Sequence, residues 1–91
     1  MSVYLGDVGT KIRLDCGEDI STATKCEIKF HSPAGLRGTW TASQETTSII
    51  FYVTQAEDIN EAGRWWFQAY VEMPSRKLYG KTAMLEVLSP L

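Results

Sequence analysis

Lys25-Cys26-Glu27-Ile28-Lys29-Phe30-His31 is the stretch whose reading decides the fold class. Apolar and polar residues alternate without a break. Cys26, Ile28 and Phe30 therefore make one face of an extended strand, and Lys25, Glu27, Lys29 and His31 the other. Upstream, Thr10 to Cys16 follows the same rule, with Ile12, Leu14 and Cys16 set against Lys11, Arg13 and Asp15. Between these strands, residues 17–24 are rich in turn formers, and Ser32-Pro33-Ala34-Gly35-Leu36-Arg37-Gly38 reads as a second connection. A short strand over Thr39 to Ala42 follows and carries Trp40.

Further along, the period of two persists but both faces become apolar. In Thr46 to Thr54, Ile49, Phe51 and Val53 oppose Ile50 and Tyr52, and in Arg64 to Val71, Trp65, Phe67, Ala69 and Val71 oppose Trp66, Gln68 and Tyr70. A last strand over Thr82 to Leu88 sets Ala83, Leu85 and Val87 inward, after a loop over 73–80. Residues 55–62 have helix-turn character, too short for a stable helix, with Gly63 placed to end it. Six or seven short strands, one helical turn near 55–62 and no long helix predict an all-β antiparallel sandwich forming a single domain over 1–91. The expected core is Ile12, Leu14, Ile28, Phe30, Trp40, Phe51, Trp65, Phe67, Val71, Leu85 and Val87.

Composition excludes several classes of function. The 91 residues are 44% hydrophobic and 22% charged, too apolar for a disordered tail. Nine basic and eleven acidic side chains leave a formal charge of −2, which points to neither nucleic acid nor an anionic membrane as partner. No apolar run reaches the ~20 residues of a membrane helix. The start, Met1-Ser2-Val3-Tyr4-Leu5-Gly6-Asp7, does not read as a secretory signal, so the expectation is cytoplasmic synthesis. Cys16 and Cys26 are then expected as free thiols rather than a disulfide framework or a zinc site.

Asp58-Ile59-Asn60-Glu61-Ala62-Gly63-Arg64-Trp65-Trp66-Phe67 resembles the corner before the penultimate strand of immunoglobulin-like sandwiches. The resemblance implies that Trp65 takes the corner-aromatic slot and that Phe67 stands where antibody domains place their second core cysteine, with Trp40 as the buried aromatic facing it. Phe67 is not a cysteine, so the inter-sheet disulfide of antibody domains has no counterpart here.

The whole chain also resembles a narrower group, small virion proteins of tailed bacteriophages and, more distantly, the N-terminal module of phage baseplate upper proteins. The likeness rests on Gly6-Asp7-Val8-Gly9-Thr10, Asp19-Ile20-Ser21, Thr54-Gln55-Ala56-Glu57-Asp58-Ile59 and Gln68-Ala69-Tyr70-Val71-Glu72. To these is added Lys29 to Gly35, which fills a slot usually written K-x-P-D-G. It implies a structural setting, a virion assembled after synthesis in the bacterial cytoplasm, with other virion proteins as partners and self-association as an option.

Groups that could carry a reaction are few. His31 is the only histidine and reads as a solvated side chain at a strand end. No catalytic or phosphate-binding motif occurs, so no enzyme and no cofactor are expected. Asp15, Glu18 and Asp19, with Asp7 nearby, place carboxylates at a density that can bind calcium, but their spacing matches no dedicated loop and no metal site is assigned. The expected site is instead an interface. It comprises Ile50, Tyr52, Trp66, Gln68 and Tyr70 on a second apolar sheet face, with Arg76, Lys77 and Tyr79 from the following loop. Two plainer readings stand beside it: scattered exposed hydrophobes, or an exchange of inside and outside on one strand. The expected function is docking on virion subunits, first as capsid decoration or cement, next as a tail or baseplate accessory. A host-facing carbohydrate-binding module stacking sugars on Trp66 and Tyr70, and an assembly chaperone, are the alternatives.

Overall fold

A computed structural model of the chain describes residues 2–90. Over these residues the chain is all-β, with eight strands and no helix. The strands are β1 (Ser2–Tyr4), β2 (Lys11–Asp15), β3 (Lys25–His31), β4 (Arg37–Thr41), β5 (Ser43–Gln44), β6 (Ile49–Val53), β7 (Gly63–Met73) and β8 (Arg76–Leu88). They form a five-stranded sheet in the order β1-β8-β7-β3-β4 and a three-stranded sheet in the order β2-β6-β5. All pairings are antiparallel except β1 with β8.

The two segments with one charged face fold as their alternation dictates. Ile12, Leu14 and Cys16 are buried at the end and along the inner face of β2, and Ile28 of β3 is fully buried. These side chains share one core cluster with Trp40, Trp65, Phe67, Ala69, Val71, Leu85 and Val87 from the large sheet. Phe30, expected in the core, is half-buried and packs against that cluster. Its ring lies 4.7 Å from Trp40 and 5.7 Å from Trp65.

Strand β6 reverses the expected assignment. Its register with β2 sets Ile12 opposite Tyr52 and Leu14 opposite Ile50, and directly opposed side chains leave a sheet on the same face. Because β2 has only one apolar face, it dictates which side of β6 points inward. Ile50 is therefore 0% exposed, and Tyr52 stacks on Trp40 at 4.8 Å. Phe51, expected in the core, turns outward beside Arg13 and lies beneath the Lys11 ammonium, 4.6 Å from its ring centre.

The turns and strand ends around these elements complete the comparison. The strand expected from Thr46 begins only at Ile49, since 45–48 form a hairpin turn in which Thr46 Oγ1 accepts from the Ser48 and Ile49 amides. The turn expected near 55–62 is present as a single turn over 56–58, closed by the Asp58 carboxylate, which accepts from the Gln55 amide at 2.6 Å. Gly63 does not cap that turn; it opens β7 with φ of 129°, and a side chain there would meet Pro33 at 2.9 Å. Finally, β8 starts at Arg76, so the loop expected over 73–80 reduces to the Pro74-Ser75 connection of a tight hairpin. A bulge in β8 near Gly80 shifts the register and brings Tyr79 opposite Tyr70.

The corner before β7 is tied by its aromatic residue. The Trp65 indole N–H donates to the Glu61 carbonyl at 3.0 Å, while its ring is buried against Phe67.

Candidate functional site: the outer face of the large sheet

Cross-strand registers arrange the outward side chains of the large sheet in rows. One row runs Arg37, His31, Trp66, Met84 across β4, β3, β7 and β8, and the next runs Thr39, Lys29, Gln68, Thr82. Beyond the bulge, a third runs Thr41, Glu27, Tyr70, Tyr79, and a fourth Lys25, Glu72, Lys77. Except for Met84, which lies beside it, the first two rows line a trough of about 660 Å³ that crosses four strands.

The floor and walls of this trough follow from local sequence. Ser32 is buried and its hydroxyl accepts from the Leu36 amide, while its backbone N–H donates to the Leu36 carbonyl; this closes the loop that sets His31 opposite Arg37. Gly38 lets the Phe30 ring lie flat against the strand, since a Cβ there would stand 2.3 Å from Phe30 Cζ. Gln68 is held by its amide, which donates to the Gly80 carbonyl at 2.9 Å. Trp66 is 42% exposed and Met84 beside it 43%.

The other end of the face is closed on itself. Tyr70 is only 7% exposed. Tyr79 covers its ring at 5.0 Å, and the Lys29 ammonium sits 4.9 Å from the same ring. The Tyr70 hydroxyl donates to Glu72 at 2.8 Å, and that bond, with burial, pushes its pKa up to about 12. Lys25 bridges Glu27 and Glu72.

Of the expected interface residues, the structure gathers Trp66, Gln68, Tyr70, Lys77 and Tyr79 on this one face. Ile50 and Tyr52 are not part of it: they belong to the other sheet and point into the core, so the contiguous aromatic patch expected from them does not form. Tyr70 is covered, and Arg76 is drawn to Glu18 at the hairpin end. Lys29, His31, Arg37, Thr39, Thr82 and Met84 were not among the expected interface residues, although the polar phase of Lys25 to His31 already marked Lys29 and His31 as outward.

The acidic loop after β2 is occupied by its own chain. Asp15 accepts from the Gly17 amide, Asp19 from the Ser21 amide, and Glu18 pairs with Arg76. Among the described residues, no three His, Cys, Asp or Glu side chains gather as for a metal ion. Both cysteines are free thiols, and burial raises the pKa of each. No helix of the described residues is long and apolar enough to cross a membrane.

Compared with known proteins, the chain matches no family model, no curated protein and no solved structure.

Proposed function

We propose that the chain is a non-enzymatic docking module of a tailed-bacteriophage virion, built as an immunoglobulin-like β-sandwich, which binds another virion subunit through the outer face of its large sheet. The observation that carries the docking reading is the pair Trp66 and Met84, adjacent in register and both substantially exposed, in the same cross-strand row as Arg37 with His31 between. Tryptophan, methionine and arginine are the residue types that protein interfaces concentrate, and soluble surfaces seldom leave them side by side without use.

The immunoglobulin-like reading draws support from strand order. The partition of β2, β6 and β5 from β8, β7, β3 and β4 parallels the two sheets of that fold, with β1 added alongside β8. Trp65, two positions before Phe67 and bonded back to the Glu61 carbonyl, parallels the corner aromatic of such domains. Trp40 departs from the pattern in sitting on β4 rather than β3, yet its ring faces Phe67 at 5.5 Å. The virion setting rests on the sequence resemblance. Within it, capsid decoration or cement comes first, and a tail or baseplate accessory second.

Mass spectrometry of purified particles of the encoding phage tests the setting: the chain is expected as a stoichiometric component, and its absence overturns the virion reading. Immunogold labelling over the head supports decoration, and labelling at the tail supports the baseplate role. Trp66→Ala is expected to fold normally and to lose incorporation into particles. Normal incorporation of that variant overturns docking through this face.

A second reading, a carbohydrate-binding module, is favoured by the Thr39 and Thr82 hydroxyls and the Gln68 amide around the exposed Trp66 indole. It predicts retention of specific glycans on an array, lost in Trp66→Ala, with incorporation into particles unchanged.

A further inference from the structure

The trough has a charge of its own. Lys29, His31 and Arg37 line it, and no aspartate or glutamate does, although the chain as a whole carries a formal charge of −2. Elsewhere the basic side chains Lys11, Arg13, Lys25 and Arg76 each meet a carboxylate, whereas Arg64, Lys77 and Lys81 stand apart from the trough without an ion pair among the described residues. Among the described residues, Lys29 and Arg37 take part in no ion pair. Arg37 stands on β4, an edge strand of its sheet, so its guanidinium is reached both from the open face and from the side. A guanidinium offers parallel N–H donors that match a carboxylate in two-point geometry.

Next to these cations lies an apolar pair, Trp66 and Met84, in the same cross-strand row as Arg37 and His31. The row thus runs from cationic residues to Trp66 within the trough and on to Met84 at its margin. A nucleic acid calls for a denser and wider cationic surface than Arg37, one histidine and Lys29, whose ammonium already rests on the Tyr70 ring, provide. A single saccharide ring uses the indole but has no counterpart for the Met84 thioether beside it. A peptide segment supplies both carboxylates and an apolar side chain.

Resting on the docking reading above, we infer that the trough receives an acidic segment of the partner protein. Its carboxylates lie on Arg37 and Lys29, and an apolar side chain lies on Trp66 and Met84. The segment enters across the strands rather than extending the sheet.

The test titrates the full isotope-labelled chain with two synthetic peptides of equal length. One is built of Asp, Glu and Leu, and the other replaces every acid by its amide. An oligogalacturonate serves as a carboxylate-bearing saccharide. The acidic peptide is expected to shift the amides of Lys29, His31, Arg37, Trp66 and Gln68, with binding that weakens as salt rises. Arg37→Glu is expected to weaken it by about tenfold or more, the scale of a lost charge-assisted hydrogen bond. Arg37→Gln, which keeps the length and polarity of the side chain, serves if the charge reversal disturbs folding.

Equal binding of the amide peptide, no shift in the trough, or tighter binding of the oligogalacturonate overturns the inference. So do shifts that appear with protein concentration alone, which make a second copy of the chain the occupant. Particle incorporation separates this inference from the docking reading. If Trp66→Ala abolishes incorporation while Arg37→Glu and Lys29→Glu leave it intact, docking stands and the acidic partner falls.

Discussion

At one end of the outer face, Tyr70 lies beneath Tyr79 and the Lys29 ammonium, its hydroxyl donates to Glu72, and Lys25 spans Glu72 and Glu27. At the other end of the same face, Trp66 and Met84 remain open and Arg37, on β4, meets no carboxylate among the described residues. Both ends are built from the same alternation and the same registers. They differ in whether the chain supplies its own partners. An aromatic ring covered by a neighbouring ring, a cation and a hydrogen bond has little left to offer another molecule. A ring left uncovered, in one row with a guanidinium that meets no carboxylate, keeps its apolar area available. The contrast teaches that outward-pointing aromatics on one sheet face are not equivalent: their intramolecular partners decide how much of each is left to meet another molecule.

The largest test of that contrast sits on two consecutive residues. Trp65 is buried between Phe30 and Phe67 and bonded to the Glu61 carbonyl, whereas Trp66 projects to the opposite side of β7. Trp65→Ala is expected to cost about 3–5 kcal/mol through cavity formation and a lost hydrogen bond, a large part of what a domain of this size possesses. Trp66→Ala is expected to stay within ~0.5 kcal/mol of the parent, as surface changes do. Chemical denaturation of the two variants measures both. A large loss in Trp66→Ala would make the open end a structural element and remove the distinction.

A smaller effect is expected at the floor of the trough. Gly38→Ala would press a methyl group onto the Phe30 ring, which Trp40 and Trp65 already box in. Overpacking of this kind costs about 1–3 kcal/mol. The same variant is expected to displace Arg37, its neighbour in β4, and so to weaken docking beyond what its stability loss explains. Thermal unfolding followed by particle incorporation checks both parts. A neutral Gly38→Ala would mean that the Phe30 ring moves freely, and that the floor under Arg37 is not rigid.

How far these features were legible in the chain depended on whether a strand had a charged face. In Lys11 to Asp15 and Lys25 to His31 the charges settle which side faces water, and the expected burial is found along β2 and at Ile28 of β3, with Cys26 and Phe30 half-buried. In Ile49 to Val53 neither face is charged, and a one-residue change of phase exchanges core and surface; only the pairing with β2 decides it. The open row of Arg37, His31, Trp66 and Met84 joins residues from four separate segments. No local pattern states that β3 lies between β4 and β7, so the trough was not legible, although each of its members was readable as outward or polar. The early part of β8 was hidden for a different reason. Arg76 and Lys77 follow Pro74-Ser75 and read as a basic loop, whereas Glu72 and Glu18 across the hairpin and the adjacent loop give those charges a place on a strand.

The smallest effect concerns protons at the closed end. In the folded chain the Tyr70 phenol, donating to Glu72, is pushed up to about 12, and Tyr52, partly buried and donating to Asp58, is likewise pushed up to about 12, both from an ordinary value of 10.0. Each group holds its proton more tightly folded than unfolded. Its contribution to stability is therefore complete below about pH 10 and is lost as the pH rises through about 12. Ultraviolet absorbance of tyrosinate should show two phenols ionising late in the native chain. Tyr70→Phe should remove one of them, and Tyr52→Phe the other. Denaturation midpoints of the parent should fall across that alkaline window, and fall less in either variant. Trp66→Ala should leave both late ionisations in place, because its row lies across Gln68 from Tyr70 and shares no hydrogen bond with it. If Tyr70 instead ionised at its ordinary value in the folded chain, its bond to Glu72 would be open to solvent. The end read as closed would then offer a binding surface of its own, and the difference between the two ends would no longer choose Trp66.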